Sequence, residues 1–376
     1  MQENLHRLLE SLQSESLATT SKIKYASTWT QWCRWCERLQ FAKWLPEDRR
    51  QHSYQLALFA TYCWKYGWGK SGSGNSASTV LSKVSHIAWH HRRTLGYNVG
   101  LLPGHQLAIT AMRRKDPSSK PKSPVTSAIL KCLHELLDFA VAQHRVIWGA
   151  SVLGFFFLLR RSEYLAQGSR MHDYAIRRAD VKFVDARGHE TRNLHDVTSV
   201  ILQFRGSISD QFGKGTSREL ARSGHRWCCP VLAALYLVRH HKALRIDAGE
   251  LLCKVDASHN LQVSDVVRAI KAAAGRAGHN PQDYASHSLR SGGATALFNA
   301  GFDSLAVKLF GRWKSDAVER YTRISGQLTS RMVANAAEAR IASSLGASPT
   351  PGYPGSGGAT MQLRHHCAAF GTPPES

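Results

Sequence analysis

The sequence predicts a mainly α-helical protein of two domains, with a small antiparallel β-sheet in the second. Apolar residues recur at helical spacing through most of the first 115 residues, and again after about residue 230. Two short runs, 181–184 and 200–204, are rich in β-branched and aromatic residues and stand between turn-rich segments, as short strands do. A segment rich in proline, serine and lysine separates the two parts of the chain.

The first predicted domain covers residues 1–115 and is helical. Trp29, Trp32, Cys33 and Cys36 lie at helical spacing, and Ser76 or Ser78 can cap a later helix. The tryptophans and other aromatic residues of this domain are expected to form its core.

A linker is predicted over residues 116–127, because Lys115–Ser127 contains three prolines, four serines and three lysines. The second domain is predicted over residues 128–345. It has a helix over 146–165 before the two strands, and a turn-rich segment after the second strand. The last 31 residues, 346–376, are rich in glycine, proline and serine and are predicted to be disordered.

Charge indicates the class of partner. The 376 residues carry 49 Lys+Arg against 27 Asp+Glu, a formal net charge of +22. Residues 1–122 hold 18 basic and 7 acidic residues, so each part of the chain carries +11. Such an excess attracts polyanions, nucleic acid first, and two basic lobes suit a protein that closes around a duplex. Composition alone does not separate DNA from RNA.

Membrane, metal and cofactor partners are not expected. The longest apolar run, Ile147–Leu159, has 13 residues, whereas a bilayer span needs about 20. The N-terminus lacks the apolar core of a secretory signal, so an intracellular protein is expected. Cys33 and Cys36 form a CxxC pair without a second pair, and the eight cysteines are expected to be reduced thiols.

Three segments concentrate groups that suit phosphoryl chemistry. Arg160 closes the long apolar run, His287 and Arg290 stand three residues apart, and Trp313 precedes Tyr321 by eight residues. Arginine forks can hold the charge that develops on a phosphodiester during displacement. A tyrosine can attack phosphorus when a base or a cation stabilises its oxyanion. Strand cleavage through a phosphotyrosine would need neither a metal nor ATP.

These segments resemble the motifs of the tyrosine recombinase (phage integrase) family. LLRRSEYL is similar to its first-arginine motif, HSLRSGGATAL to its H-x-x-R box, and FGRWKSDAVERYTR to its closing tyrosine segment. The resemblance covers roughly residues 125–345 in the family's order. The preceding helices are consistent with the family's core-binding (SAM-like) domain. The sequences of these motifs look most like those of recombinases of eukaryotic mobile elements, of the Crypton and DIRS-like kind.

The resemblance implies a mixed α/β catalytic domain, a tetramer on double-stranded DNA, and a nuclear location if the host is eukaryotic. It also implies site roles. Arg160 and Arg290 would clamp the scissile phosphate, and Tyr321 would form a 3′-phosphotyrosyl bond. His287 would assist proton transfer, Trp313 would support the phosphate, and Glu163 would organise the arginine.

Two departures from the family pattern bear on activity. Ile208 stands where related sequences carry a lysine, and Lys214 in the same turn is the candidate replacement as general acid. Loss of that acid would cost about 10²–10⁴ in rate. The spacing of eight residues from Trp313 to Tyr321 is one less than the usual nine, and one residue rotates a helical side chain by about 100°.

Three functions therefore remain open at the level of sequence. The first is a DNA recombinase or integrase of a mobile element. The second is a catalytically decayed, non-enzymatic DNA-binding protein on the same scaffold, which Ile208 and the short tyrosine segment favour. The third is a type IB topoisomerase-like or unrelated phosphoryl-transfer enzyme, against which the absence of a long topoisomerase-type linker argues.

Overall fold

A computed structural model describes residues 1–69, 72–117, 121–169, 171–207, 210 and 213–314. The chain divides into two compact units, Met1–Lys120 and Pro121–Ser376. The division falls inside the segment that composition predicts to be a linker. Among the described helices, none has both the length and the hydropathy that a bilayer crossing requires.

The first unit is a helical bundle built around aromatic side chains. Trp32, Phe59 and Ile87 are fully buried and come from three different helices. Ser76 caps the fourth helix by accepting a hydrogen bond from the backbone N–H of Thr79. The helices are α1 (Gln2–Glu15), α2 (Thr19–Leu39), α3 (Arg49–Tyr66), α4 (Ala77–Leu95) and α5 (Pro103–Lys115).

The second unit packs helices around one apolar helix and carries a three-stranded antiparallel sheet in the order β1-β2-β3. The apolar helix is α7, buried on nearly every side between α8 and α10. The helices are α6 (Ser127–Leu136), α7 (Ala142–Phe156), α8 (Pro230–Ala243), α9 (Val263–Arg276), α10 (Ser288–Asn299) and α11 (Ser304–Phe310). The strands are β1 (Val181–Val184), β2 (Ser199–Phe204) and β3 (Thr216–Ala221). The predicted fold class, mainly α with a small antiparallel sheet, is confirmed.

The third strand corrects the prediction of a turn-rich segment after Phe204. Thr216 pairs with Phe204, and Ala221 pairs with Ser199, so β3 runs along the whole of β2. None of the β3 side chains is fully buried, and polar residues dominate the strand. Its stability therefore comes from backbone pairing with β2, which a hydrophobic pattern does not reveal.

The apolar helix α7 ends at Phe156, nine residues before the predicted end at Leu165. Leu158 has a left-handed backbone with φ of +51°, which breaks the helix. Arg160 is extended and precedes a 3₁₀ turn over Arg161–Glu163. The chain thus turns sharply just before the first-arginine motif, and this turn exposes the carbonyl of Leu158 to side-chain donors.

The second half of the predicted linker packs onto the second unit. Val125 is buried, and its N–H donates to the carbonyl of Ser288 at 2.9 Å. A Cβ on Gly292 would lie 2.1 Å from the Val125 carbonyl oxygen, so glycine is required for this approach. Residues 121–127 therefore belong to the framework that holds α10.

Candidate functional site

Arg160 is held beside the end of α7 by a buried carboxylate. The Glu163 side chain is fully buried, and its Oε1 accepts from the Arg160 guanidinium at 2.9 Å. Its Oε2 accepts from the backbone N–H of Arg160 at 2.7 Å. The 3₁₀ turn brings these two residues together, because residues three apart share one side of such a turn. Glu163 therefore fixes the orientation of the Arg160 guanidinium.

Arg290 lies in the first turn of α10 and is almost completely buried, at 2% exposure. Its guanidinium donates to the carbonyl of Leu158 and, at 2.5 Å, to the carbonyl of Gly311. It also lies 3.8 Å from the ring centroid of Trp313, in a cation–π contact. Arg290 and Trp313 are thus fixed against each other.

Arg312, which the sequence reasoning missed, completes the cluster. Its guanidinium pairs with Glu163 Oε2 at 2.8 Å and stacks on Phe204 at 3.7 Å from the ring centroid. Its carbonyl accepts from the Arg160 guanidinium at 2.8 Å. Spacing could have revealed it, because Arg312 stands nine residues before Tyr321, the usual spacing that Trp313 lacks.

Arginines hold the chain that follows α11. The carbonyls of Leu309 and Phe310 accept from Arg218 of β3, at 2.8 and 3.3 Å. The carbonyls of Gly311 and Arg312 accept from Arg290 and Arg160, respectively. Four successive carbonyls at the end of α11 thus bind three guanidinium groups from three other parts of the unit. These bonds fix the backbone from Leu309 to Arg312.

His287 immediately precedes α10 and is exposed. Partial desolvation lowers the pKa of its imidazole, and the positive charges of Arg161, Arg290 and Arg160 lower it further. The ring is therefore near the arginine cluster and is neutral at pH 7. A neutral imidazole can accept a proton, which suits a base better than an acid.

Lys214 lies in the turn between β2 and β3, and its side chain is exposed. Asp210 holds this turn, accepting from the backbone N–H of Gly215 at 2.9 Å and from that of Lys214 at 3.3 Å. Lys214 lines one open cavity together with Arg312 and Trp313. A lysine in this position can reach a ligand that occupies the cavity.

The structure brings most of the predicted site residues together. Arg160, Glu163, Arg290 and Trp313 share one cluster; the charges of that cluster act on His287, and Lys214 lines the adjoining cavity. Tyr321 and Ile208 lie outside the described residues.

Chemically, the cluster suits a phosphate. Its three arginines outnumber the one carboxylate among them, and guanidinium forks bind phosphate oxygens well. Within the described part of the chain, no group of three or more His, Cys, Asp or Glu side chains could hold a metal ion.

A helical unit followed by a mixed α/β unit with this small antiparallel sheet is the tyrosine recombinase fold. A solved structure similar to the chain is that of the Tn1549 transposon integrase (aa 82-397) in complex with circular intermediate DNA. Its TM-score is 0.51 at 14% identity, and the match covers 89% of this chain and 98% of that one.

Two other solved structures give lower scores. The lambda integrase (75-356) dimer bound to a COC' core site has a TM-score of 0.47 at 15% identity, covering 87% of this chain and 96% of that one. The XerA recombinase has a TM-score of 0.38 at 14% identity, covering 89% and 98%. No protein-family model and no curated protein matches the sequence. At these identities the likeness concerns the fold alone.

Proposed function

We propose that the protein breaks and rejoins strands of duplex DNA through a 3′-phosphotyrosyl intermediate, as a site-specific recombinase or integrase. The observation that carries this proposal is the pairing of Arg160 and Arg312 with one buried carboxylate, Glu163, beside the buried Arg290 at the end of α7. Deeply buried arginines stay charged and are costly to maintain, so their convergence favours a site for an anion.

In the proposed reaction, the Tyr321 oxygen attacks the scissile phosphorus and loses its proton. The new bond joins tyrosine to the 3′-phosphate, while the bond from phosphorus to the 5′ oxygen breaks. The neutral His287 accepts the phenolic proton, and Lys214 donates a proton to the departing 5′ oxygen, which leaves as a hydroxyl. Reversal with a 5′-hydroxyl from another strand reseals the DNA.

The arginines would act on the transition state. Arg160 and Arg290 would hold the non-bridging oxygens, on which charge increases as the fifth oxygen approaches phosphorus. Trp313 would keep Arg290 in place through the stacking contact of 3.8 Å. Because Glu163 and backbone carbonyls already orient these guanidinium groups, little reorganisation would be needed during the reaction.

The wider assignment is also part of this proposal. The net charge of +22 favours a nucleic acid as the partner, and the proposed strand exchange makes that partner duplex DNA, bound with strong salt dependence. The sequence of the motifs, especially GRWKSDA followed by RY, favours a mobile element of the Crypton or DIRS-like kind. Exchange between two duplexes would require a tetramer, and in a eukaryotic host the protein would act in the nucleus.

A non-enzymatic DNA-binding protein is the second candidate, and Ile208 favours it. The family lysine is missing at that position, and Lys214 stands six residues further on. If Lys214 does not protonate the 5′ oxygen, the arginine cluster would bind a DNA phosphate without cleaving it.

Covalent capture separates the two candidates. The protein is incubated with a pool of nicked duplexes of randomised sequence, and protein–DNA adducts that resist denaturant are isolated and sequenced. We expect adducts with the wild type and with Tyr236→Phe, a matched change at an exposed tyrosine of α8, but none with Tyr321→Phe. DNA binding without adducts would support the non-enzymatic candidate. Adducts with Tyr321→Phe would refute the proposed nucleophile.

A further inference from the structure

We propose that Arg312 is a positioning residue that locks the end of α11 and Trp313 onto the arginine site. This inference rests on the proposed function and extends it to a residue outside the expected set. Arg312 would not touch the reacting atoms. It would act through Glu163, Arg160 and the backbone that continues into Trp313.

Arg160, Glu163 and Arg312 form a closed ring of three contacts. Arg160 binds Glu163 Oε1 at 2.9 Å, and Glu163 Oε2 binds the Arg312 guanidinium at 2.8 Å. The carbonyl of Arg312 then accepts from the Arg160 guanidinium at 2.8 Å. Arg312 therefore holds Arg160 twice, once through its side chain by way of Glu163 and once through its own backbone.

The Arg312 side chain also joins separate elements of the unit. It donates to the carbonyls of Phe157 and Leu158 at the end of α7, at 3.2 and 3.4 Å. Its flat face covers the ring of Phe204 at the end of β2. A lysine has one compact ammonium and cannot bridge a carboxylate and two carbonyls while stacking on an aromatic ring. The geometry thus requires arginine.

Arg312 is next to a site residue along the chain, so loss of its contacts would disturb the site. Trp313 follows directly and lies against Arg290, and Tyr321 comes eight residues later. If the lock opens, the Trp313 ring and both phosphate-binding arginines lose a shared support. A displacement of about 1 Å in such a site costs about a hundredfold in rate. Attraction of DNA by the net positive charge of the chain, in contrast, does not depend on this alignment.

The backbone of Arg312 makes a clean test possible. Its φ is +60°, in the left-handed region that glycine adopts without steric cost. Arg312→Gly therefore removes the side chain and suits the turn at the same time. Arg245, an exposed residue after α8 with φ of +55°, provides the matched control. If Arg312 served only to form the turn, the glycine variant would retain full activity.

The experiment compares the wild type with Arg312→Gly, Arg312→Lys and Arg245→Gly in single-turnover adduct formation at saturating DNA, and in DNA affinity. We expect Arg312→Gly to form adducts about a hundredfold more slowly, with affinity within about threefold of the wild type. Arg312→Lys should recover part of the rate, and Arg245→Gly should match the wild type. Wild-type rate in Arg312→Gly would overturn the proposal.

A double-mutant cycle tests whether Arg312 acts through Glu163. We expect Arg312→Gly, Glu163→Gln and the double variant to lose nearly the same factor in rate, because the two residues act as one unit. If the two losses multiply in the double variant, the proposed coupling is wrong.

A third measurement does not depend on cleavage. The amides of Gly311 and Trp313 donate to the carbonyls of Val307 and Lys308, at 2.9 and 3.0 Å. Hydrogen exchange at these amides should be faster in Arg312→Gly and unchanged in Arg245→Gly. Unchanged exchange in Arg312→Gly refutes the lock. A wild type that forms no adduct, while exchange still responds to Arg312→Gly, refutes the proposed function but leaves the lock supported.

Discussion

The two units bury polar groups of opposite kinds. In the first unit the buried polar side chains are mostly neutral and bind nearby backbone. His91 accepts from the N–H of Leu45 at 2.9 Å, and Ser53 accepts from the N–H of Leu102 at 2.7 Å. In the second unit the buried groups near the site are ions, the guanidinium groups of Arg290 and Arg312 and the carboxylate of Glu163.

This difference separates a structural interior from a functional one. Where the first unit does bury a cation, at Lys83, burial lowers the pKa of its ammonium, so that the charge is disfavoured. An arginine keeps its charge under any working condition. Buried ion pairs add little stability compared with apolar packing, so stability does not explain them. The ions of the second unit fit the proposed site for a phosphate.

The largest expected effect concerns the carboxylate that the arginines share. Glu163→Gln should lower the free energy of unfolding by about 3–5 kcal/mol, because it leaves two buried guanidinium groups without their common anion. The matched change in the first unit is Asp116→Asn. Asp116 accepts from the indole N–H of Trp64 and the backbone N–H of Ala77, and we expect a loss of about 1 kcal/mol. Urea unfolding measures both, and equal losses would remove the contrast between the units.

The next effect concerns the proton donor. Lys214→Ala should slow adduct formation by about 10²–10⁴ if Lys214 protonates the departing 5′ oxygen. A substrate with sulfur in place of that oxygen needs no proton, because a thiolate leaves readily. It should therefore restore the rate of Lys214→Ala. Lys182→Ala, a change at an exposed lysine of β1 that pairs with Glu190, serves as the control. A rate defect that sulfur does not relieve would assign another role to Lys214.

A smaller effect concerns His287, one of several histidines whose pKa values are lowered. The pKa of His287 lies below its ordinary value of 6.5, so its imidazole is neutral at pH 7. We expect adduct formation to be level from pH 8 to 6.5 and to fall below that, as the base becomes protonated. His287→Ala should be about 10² slower and should lose this acid limb. An unchanged acid limb in the variant would exclude His287 as the titrating base.

The smallest effect is on stability alone, at His86 of the first unit. Burial lowers the pKa of its imidazole to about 4, from 6.5, and its Nδ1 lies 2.9 Å from the Thr28 hydroxyl. Between these pKa values the unfolded chain binds a proton that the folded chain does not. Stability is therefore lost as the pH falls from 6.5 towards 4.

His86→Gln should lose less stability than the wild type between pH 6.5 and 4. Above pH 7 the free energies of unfolding of the two proteins should change with pH in the same way. Adduct formation should not change. Parallel curves down to pH 4 would show that His86 does not titrate in this range.

Much of the architecture could be read from patterns along the chain. Helical spacing predicted α2 to α5 of the first unit, and β-branched runs predicted β1 and β2, because in each case one face packs on a core. β3 was not predicted because its side chains are mostly polar and only partly buried. Its backbone hydrogen bonds are made to β2, twelve or more residues earlier in the chain. The end of α7 was predicted wrongly because Leu158 is apolar like its neighbours, and its left-handed backbone is imposed by packing.

The site divides in the same way. Arg160, Glu163, Arg290 and Trp313 stand in recognisable motifs, and the sequence by itself determined their identity and order. The spacing of Arg312 from Tyr321 marks its position, but only the tertiary structure decided which groups it contacts, because Glu163 and Phe204 lie more than a hundred residues away along the chain. Local patterns record which residues form a helix or a turn. The closure of an ion pair around a buried carboxylate depends on how distant segments pack, and that is settled only when the whole unit has folded.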